Sequence, residues 1–275
     1  MPNFKPKGGI IVFTKISRIL ILSLVILIAV IYMLPEKTTH VEARSDPEEL
    51  TGYNILGYSH LGMPIKSYVI NPQNYNKTIL LTFAMHGFED SWPQDGKALV
   101  EIGTDVLLWF SKNPEALKGA RLIVIPCVNP DGTWLGIKSE GFGRCNAVGI
   151  DINRDFDYHW TCCKEAKYHT GETPFSTPEA KVLQQIVLTE KPDIVIDFHG
   201  WLNCTYGDKE LSKYFLQSFG MNIKTDEHVH QSFAGWASQY SKAVLIEYPN
   251  PGTYQSMLSQ QYSQKTIDFI SNICD

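Results

Sequence analysis

Two residues that can bind a metal follow an apolar run in the first half of the sequence. The run from Thr78 to Ala84 predicts a buried strand, and His86 and Glu89 come just after it. An imidazole and a carboxylate can both bind Zn²⁺, and a catalytic zinc also needs a third protein ligand and an open position for water. The H-x-x-E spacing alone fits a solvated loop equally well, so the rest of the sequence must supply the third ligand and the other catalytic groups.

Polar residues follow four apolar runs of the sequence. They are His86, Asn129, His199 and Glu247. In a largely parallel sheet, ligands collect beyond the carboxyl ends of the strands. We therefore expect His199 to complete a zinc site with His86 and Glu89. A carboxylate that leaves a buried strand is costly unless it is paired or functional, so Glu247 is a candidate base for a water molecule.

Candidate substrate-binding groups lie in one long irregular stretch between residues 141 and 178. Asn153 and Arg154 offer an amide and a planar guanidinium group to a carboxylate. Arg144 lies nearby in the sequence and can stabilise a developing oxyanion. For each arginine, a surface salt bridge is the alternative interpretation.

Strands and helices alternate along the chain, as in an α/β fold. Strands are predicted over 53–59, 61–70, 78–84, 121–128, 192–200 and 243–247, and helices over 95–111, 178–190, 211–219, 232–240 and 254–274. The first two strands form an antiparallel edge hairpin. The predicted fold is a mixed, largely parallel central sheet with helices on both faces.

Composition excludes one class of partner and leaves the cysteines open. The formal net charge is −5 and the folded part has no basic run, so we exclude nucleic acid as a partner. Cys145 is the first candidate to form a disulfide, with Cys162 or Cys163, and unpaired buried thiols are the alternative.

The N-terminus predicts a membrane anchor. Residues 1–18 are basic, residues 19–34 are apolar throughout, and residues 35–50 form a polar linker to a domain over 51–275. Basic residues before the apolar segment predict a single-pass protein of the cell membrane whose domain lies outside the cytoplasm. The alternative is a secretory signal cleaved after Ala43, which would release the domain.

Seven short motifs together resemble the M14 family of zinc carboxypeptidases. In chain order they are Gly57-Tyr58-Ser59 with Gly62-Met63-Pro64-Ile65, His86-Gly87-Phe88-Glu89, Asn129-Pro130-Asp131-Gly132, Gly149 to Phe156, Pro174 to Glu179, Asp197-Phe198-His199, and Ile246-Glu247-Tyr248-Pro249. They extend from about residue 50 to 260, so the resemblance covers most of the predicted domain. It implies the α/β fold of that family and one bound Zn²⁺.

The resemblance also implies how the roles are divided. They are zinc binding by His86, Glu89 and His199, general base and acid by Glu247, oxyanion stabilisation by Arg144, binding of the substrate's terminal carboxylate by Asn153 and Arg154, and orientation of the His86 ring by Asp151. The tyrosine that covers the substrate in digestive members has no clear counterpart, and Tyr206 and Tyr240 are the candidates.

The sequence therefore predicts a zinc metallopeptidase that acts near a free carboxylate. The stretch from Ser232 to Ala237 and the Glu-Tyr-Pro motif are similar to bacterial members that cut cell-wall peptides between γ-D-glutamyl and diaminopimelate. Peptidoglycan stem peptides are the expected substrate because the predicted topology places the domain at the wall. The alternatives are a carboxypeptidase on ordinary peptides or proteins, an amide deacylase on small N-acyl amino acids, and an inactive wall-binding module.

Overall fold

The computed structural model describes residues 52–70, 74–136, 143–221 and 224–274. The predicted basic segment 1–18, membrane anchor 19–34 and linker 35–50 lie outside these residues. Within the described ranges, no helix is both long enough and apolar enough to cross a bilayer.

The described residues form an eight-stranded mixed sheet. The strands are β1 (Asn54–Tyr58), β2 (Pro64–Ile70), β3 (Lys77–Phe83), β4 (Ala120–Ile125), β5 (Ile194–Gly200), β6 (Cys204–Gly207), β7 (Lys224–Thr225) and β8 (Lys242–Tyr248), in the spatial order β1-β2-β4-β3-β5-β8-β6-β7. The four central strands β4, β3, β5 and β8 are parallel to one another. The outer pairs β1-β2, β2-β4 and β6-β8 are antiparallel, so the predicted edge hairpin is confirmed.

Helices pack on both faces of this sheet, as predicted. They are α1 (Gly96–Lys112), α2 (Pro178–Glu190), α3 (Lys209–Phe219), α4 (Phe233–Ala237), α5 (Tyr254–Ser259) and α6 (Tyr262–Cys274). Side chains alternate between the faces along β3, so Leu81 packs with α1, α3 and α6, whereas Leu80 packs with α2 and α4. Burial on both faces explains why the central strands are continuous apolar runs.

Several element boundaries differ from the sequence prediction. The strand predicted to reach residue 128 ends at Ile125, where Pro126 cannot donate a backbone hydrogen bond. The predicted closing helix is two helices, because Gln261 between them has a left-handed φ of 58°. The predicted helix over 232–240 is confined to Phe233–Ala237.

The long stretch after β4 is irregular, as expected, and buried polar contacts hold its described part in place. The Asp155 carboxylate accepts hydrogen bonds from the backbone N–H and hydroxyl groups of Ser176 and Thr177. The disulfide considered for Cys145 is not formed, and no two of the six cysteines are bonded to each other. Cys145 Sγ instead lies 3.7 Å from the Ala166 carbonyl oxygen, to which it can donate a weak hydrogen bond.

Candidate active site

Three neighbouring strands bring the predicted metal ligands and base to one edge of the sheet. Strand β3 ends at Phe83, which pairs with Phe198 of β5, and His86 and Glu89 follow in the next turn. On the other side of β5, His199 pairs in register with Glu247 of β8. Parallel pairing therefore aligns the carboxyl ends of these strands, as the pattern of polar strand ends predicted.

His86, Glu89 and His199 form a buried cluster whose geometry suits one metal ion. Each offers one ligand atom, and these three atoms lie within 4.8 Å of one another. His86 Nδ1 is 3.0 Å from Glu89 Oε2, and His199 Nδ1 is 3.2 Å from Glu89 Oε1. Two imidazoles and one carboxylate are the donor set of a catalytic zinc that keeps an open position. The residues present therefore fit a zinc ion.

A carboxylate holds the other nitrogen of each imidazole. Asp151 Oδ1 lies 3.0 Å from His86 Nε2, which places Asp151 where the family resemblance implied. Asp197 Oδ2 lies 2.8 Å from His199 Nε2. Such carboxylates select the ring tautomer and direct the Nδ1 atoms toward the metal position.

The charges of the cluster favour cation binding. Burial opposes ionisation of Glu89, but His86 and His199 lower the pKa of its carboxyl to about 2. Burial likewise opposes protonation of His199, but Asp197 and Glu89 raise the pKa of its ring well above the usual value. Metal ligands must be deprotonated, so a cation that binds here displaces protons from the site.

Glu247 lies beside this cluster with an unused acceptor. Its Oε2 atom is buried and has no hydrogen-bond partner among the described residues. Burial and the nearby charge of Glu89 raise the pKa of Glu247 to about 7. A general base works best when its pKa is near the working pH, so this environment suits proton transfer.

Arg144 lies close to two carboxylates of the cluster, those of Glu89 and Asp151. Its side chain is 9% exposed, and its Nη1 atom is 3.8 Å from Glu89 Oε2. Its Nη2 atom is 3.3 Å from Asp151 Oδ2, which fixes the guanidinium group next to the metal cluster. The Nε atom is buried without a partner in the described part of the chain, which leaves one donor for a ligand.

Asn153 contacts the cluster, and Arg154 follows it in the chain. Asn153 Nδ2 is 3.3 Å from His199 Nε2, and its Oδ1 atom accepts a hydrogen bond from the Phe233 backbone. Arg154 Nη1 donates to the Asn153 carbonyl at 2.7 Å, and its side chain is only partly buried. Seven of the eight predicted site residues thus lie in one network of hydrogen bonds and ion pairs, and Glu247 lies beside it, paired in register with His199.

Asn129 is the one polar strand end that serves the loop instead of the cluster. Its Nδ2 atom donates to the Cys145 carbonyl at 3.1 Å, and its Oδ1 atom accepts from the Gly132 N–H. It therefore anchors the segment that carries Arg144. The two tyrosines considered as the residue that covers the substrate lie in different places. Tyr206 lies on β6, which pairs with β8, whereas Tyr240 is 55% exposed and precedes the start of β8.

Two carboxylates of the site were not assigned a role from the sequence. Asp197 stands two residues before His199, and the two-residue period of a strand places both side chains on one face, so the signal was available. Asp95 accepts hydrogen bonds from the Glu89 backbone and from Trp201 Nε1, and thereby holds the turn that presents Glu89. Asp95 is distant in sequence from Trp201, and no motif links them.

This α/β fold with a buried His-Glu-His cluster, a neighbouring carboxylate and two arginines defines a metal-dependent hydrolase. A family model described as zinc carboxypeptidase matches residues 39–272. The chain therefore belongs to the M14 zinc carboxypeptidase family. Membership confirms the predicted fold of the domain, the enzyme class and the zinc cofactor.

Three known proteins are similar to this chain. Bacteriocin BCN5 of Clostridium perfringens is 32% identical over 228 residues, which are 80% of this chain and 25% of that protein. Murein peptide amidase A of Escherichia coli K12 is 29% identical over 168 residues, which are 54% of this chain and 64% of that protein. The crystal structure of murein-tripeptide amidase MpaA from E. coli O157 has a TM-score of 0.60 at 25% identity and covers 81% of this chain and 91% of that chain. The chain thus spans a quarter of the bacteriocin and less than two thirds of the curated amidase.

Proposed function

We propose that the chain hydrolyses a peptide bond next to a free carboxylate in peptidoglycan stem peptides. The observation that carries the proposal is that two buried polar atoms beside the three-ligand cluster, Glu247 Oε2 and Arg144 Nε, have no hydrogen-bond partner among the described residues. Unpaired buried polar atoms are rare in folded proteins, and each needs an explanation. A substrate with a scissile carbonyl, and a water molecule to attack it, would give both atoms partners.

Each residue has one task in the proposed reaction. When bound to His86, Glu89 and His199, zinc supplies a Lewis acid that polarises the scissile carbonyl and acidifies water. Glu247 accepts a proton from the attacking water as the carbon–oxygen bond forms. Glu247 then returns the proton to the departing amine as the carbon–nitrogen bond breaks.

The two arginines act on two different negative charges, the oxyanion that develops during the reaction and the free carboxylate of the substrate. The guanidinium group of Arg144 stabilises the oxyanion that develops on the carbonyl oxygen. Asn153 and Arg154 hold the free carboxylate and so place the scissile bond over the cluster. Asp151 keeps the ring of His86 in position.

The choice of stem peptides rests on the relatives and the sequence. Two similar proteins are named for action on murein peptides, and the stretch before β8 resembles bacterial wall-cutting members. Ordinary peptides and small N-acyl amino acids remain the alternative substrates. An inactive wall-binding module is disfavoured because all three ligands and Glu247 are present.

A substrate panel tests this function. Purified zinc-loaded protein is incubated with the stem tripeptide that ends in γ-D-glutamyl-diaminopimelate, with standard carboxypeptidase peptides and with N-acyl amino acids, and the products are identified by mass spectrometry. We expect release of diaminopimelate, loss of the reaction with a chelator, and recovery on addition of zinc. Cleavage of the ordinary peptides alone would contradict the proposed substrate, and no cleavage of any member would contradict the hydrolase function.

We also propose that segment 19–34 anchors the protein in the cell membrane, with the domain over 51–275 outside the cytoplasm. The basic residues before the apolar segment support this orientation. Protease added to intact cells should digest the domain, while alkaline washing of membranes should not release the chain. A soluble, protease-protected chain would contradict this topology.

A further inference from the structure

The ring of Tyr168 lies against both arginines of the site. The guanidinium carbon of Arg144 is 5.6 Å from the centroid of this ring, and that of Arg154 is 5.5 Å from it. Both distances are within the range in which the face of an aromatic ring attracts a cation. One side chain therefore contacts the two positively charged groups that act on different parts of the substrate.

The segment that carries this tyrosine is fastened to the loop of the active site. Tyr168 ends the short 3₁₀ turn Ala166–Tyr168. The Ala166 carbonyl faces Cys145 Sγ at 3.7 Å, and the carbonyl of His169 accepts a hydrogen bond of 2.8 Å from the Asp151 backbone. The neighbouring Lys167 forms an ion pair of 2.5 Å with Asp90. Contacts on both sides of Tyr168 thus fix the backbone that carries its ring.

The two arginines need this support to different degrees. Arg144 is already held by the Asp151 carboxylate at 3.3 Å. Arg154 is only partly buried, and the hydrogen bond to the Asn153 carbonyl leaves most of its donors for a ligand. A long side chain loses considerable rotamer freedom when a substrate orders it, and an aromatic face that limits its motion in advance reduces that cost.

We propose that Tyr168 is a positioning residue that orients the guanidinium groups of Arg144 and Arg154 for substrate binding. This inference rests on the proposed function, because it assumes that both arginines contact the substrate. The ring, and not the hydroxyl group, is the feature that acts. Loss of the ring should therefore weaken carboxylate binding through Arg154 and transition-state stabilisation through Arg144.

Steady-state kinetics with the stem tripeptide test the inference. Tyr168→Leu should lower kcat/KM about 10-fold, mainly through a higher KM, whereas Tyr168→Phe should stay within about 2-fold of wild type. Tyr75→Leu is the matched control, because Arg121 lies 5.5 Å from the Tyr75 ring in a pair outside the active site. If Tyr168→Leu fails to fold, Tyr168→Met replaces it.

A double-mutant cycle separates positioning from a general structural effect. In an Arg154→Ala background, Tyr168→Leu should raise KM much less than it does in wild type. An equal rise in both backgrounds, or unchanged kinetics in Tyr168→Leu, would overturn the inference.

A spectroscopic measurement keeps this inference separate from the function itself. The side-chain Nε–Hε signals of Arg144 and Arg154 in zinc-loaded protein should shift when Tyr168→Leu removes the ring current, and they should remain in place in Tyr168→Phe and Tyr75→Leu. If the arginine signals shift but the wild-type protein cuts no substrate, the proposed function fails while the ring contact stands. If wild type is active and the signals do not move, the role of Tyr168 fails.

Discussion

Asp197 holds the ring of His199 from the side opposite Glu89. Its Oδ2 atom is 2.8 Å from His199 Nε2, and its Oδ1 atom accepts a hydrogen bond of 2.7 Å from Thr82 on the next strand. Both carboxylate oxygens are therefore occupied, and the ring cannot rotate without breaking a buried contact. This series of hydrogen bonds from Thr82 through Asp197 to His199 is independent of the contact between Asp151 and His86.

Asp197→Asn should weaken zinc binding about 10- to 100-fold, because the amide no longer enforces the tautomer that leaves Nδ1 free for the metal. Competition with a zinc-binding dye measures the affinity. Asp268→Asn, on the surface of α6, is the control and should bind zinc as wild type does. Unchanged affinity in Asp197→Asn would contradict this role of the Asp197 carboxylate.

At the residue scale, the sequence predicted which residues lie near one another in the candidate site better than it predicted the individual contacts between side chains. The proximity of His86, Glu89, His199 and Glu247 was predictable because each lies at or just after the end of an apolar run, and parallel strands align such positions. The contact of Tyr168 with two arginines was not, because residues 144, 154 and 168 lie in irregular backbone whose path no periodicity determines.

At the scale of elements, Gly87 is where three segments of the site meet. Its N–H donates to the Gly143 carbonyl at 2.9 Å, and a side chain at this position would overlap the backbone of Gly132 and Gly143. The turn after β3, the turn after β4 and the loop that carries Arg144 are therefore packed backbone to backbone. The absence of a side chain at residue 87 allows this approach.

Gly87→Ala should destabilise the protein by about 1–3 kcal/mol, because the contacting atoms are backbone and cannot move aside individually. Chemical denaturation measures the free energy of unfolding, and the zinc affinity should fall in parallel as Glu89 moves. Gly220→Asn is a suitable control: the cap of α3 has a φ of 67°, which Asn tolerates, and the space around it is open. A stable Gly87→Ala variant with normal zinc binding would contradict this view of the junction.

Among the elements, the central strands were predictable and the edge strands β6 and β7 were not. Strands β3, β4 and β5 are buried on both faces, which produces long apolar runs. Strand β6 has four residues and β7 has two, too few for a periodic pattern; β6 pairs with β8, which lies later in the chain, and β7 pairs only with β6.

At the scale of the whole molecule, His228 makes stability depend on pH independently of the metal site. Its Nδ1 atom is buried without a partner among the described residues, and Gly207 lies against the ring. Burial lowers the pKa of His228 below its usual value, although the charge of Asp208 opposes this effect. As the pH falls, His228 is therefore protonated more readily in the unfolded chain than in the folded chain.

The contribution of His228 to the free energy of unfolding should therefore be fully present above the usual histidine pKa of about 6.5. It should decrease as the pH drops below that value toward the lower pKa of the folded state. In metal-free protein, the free energy of unfolding of wild type should decrease more than that of His228→Gln between about pH 7.5 and pH 5. His230→Gln, at an exposed position, should behave like wild type. Parallel curves for wild type and His228→Gln would contradict the assignment.

For the molecule as a whole, we infer that a zinc-binding cluster at the ends of β3 and β5 acts together with a base at the end of β8. Glu247→Gln tests it most directly, because the substitution removes the base and leaves the three ligands intact. We expect turnover of the stem tripeptide to fall at least about 100-fold while the variant still binds one zinc ion, measured by mass spectrometry of the metal content, and Glu190→Gln on α2 to retain wild-type turnover. Turnover in zinc-loaded Glu247→Gln close to that of wild type would contradict the account.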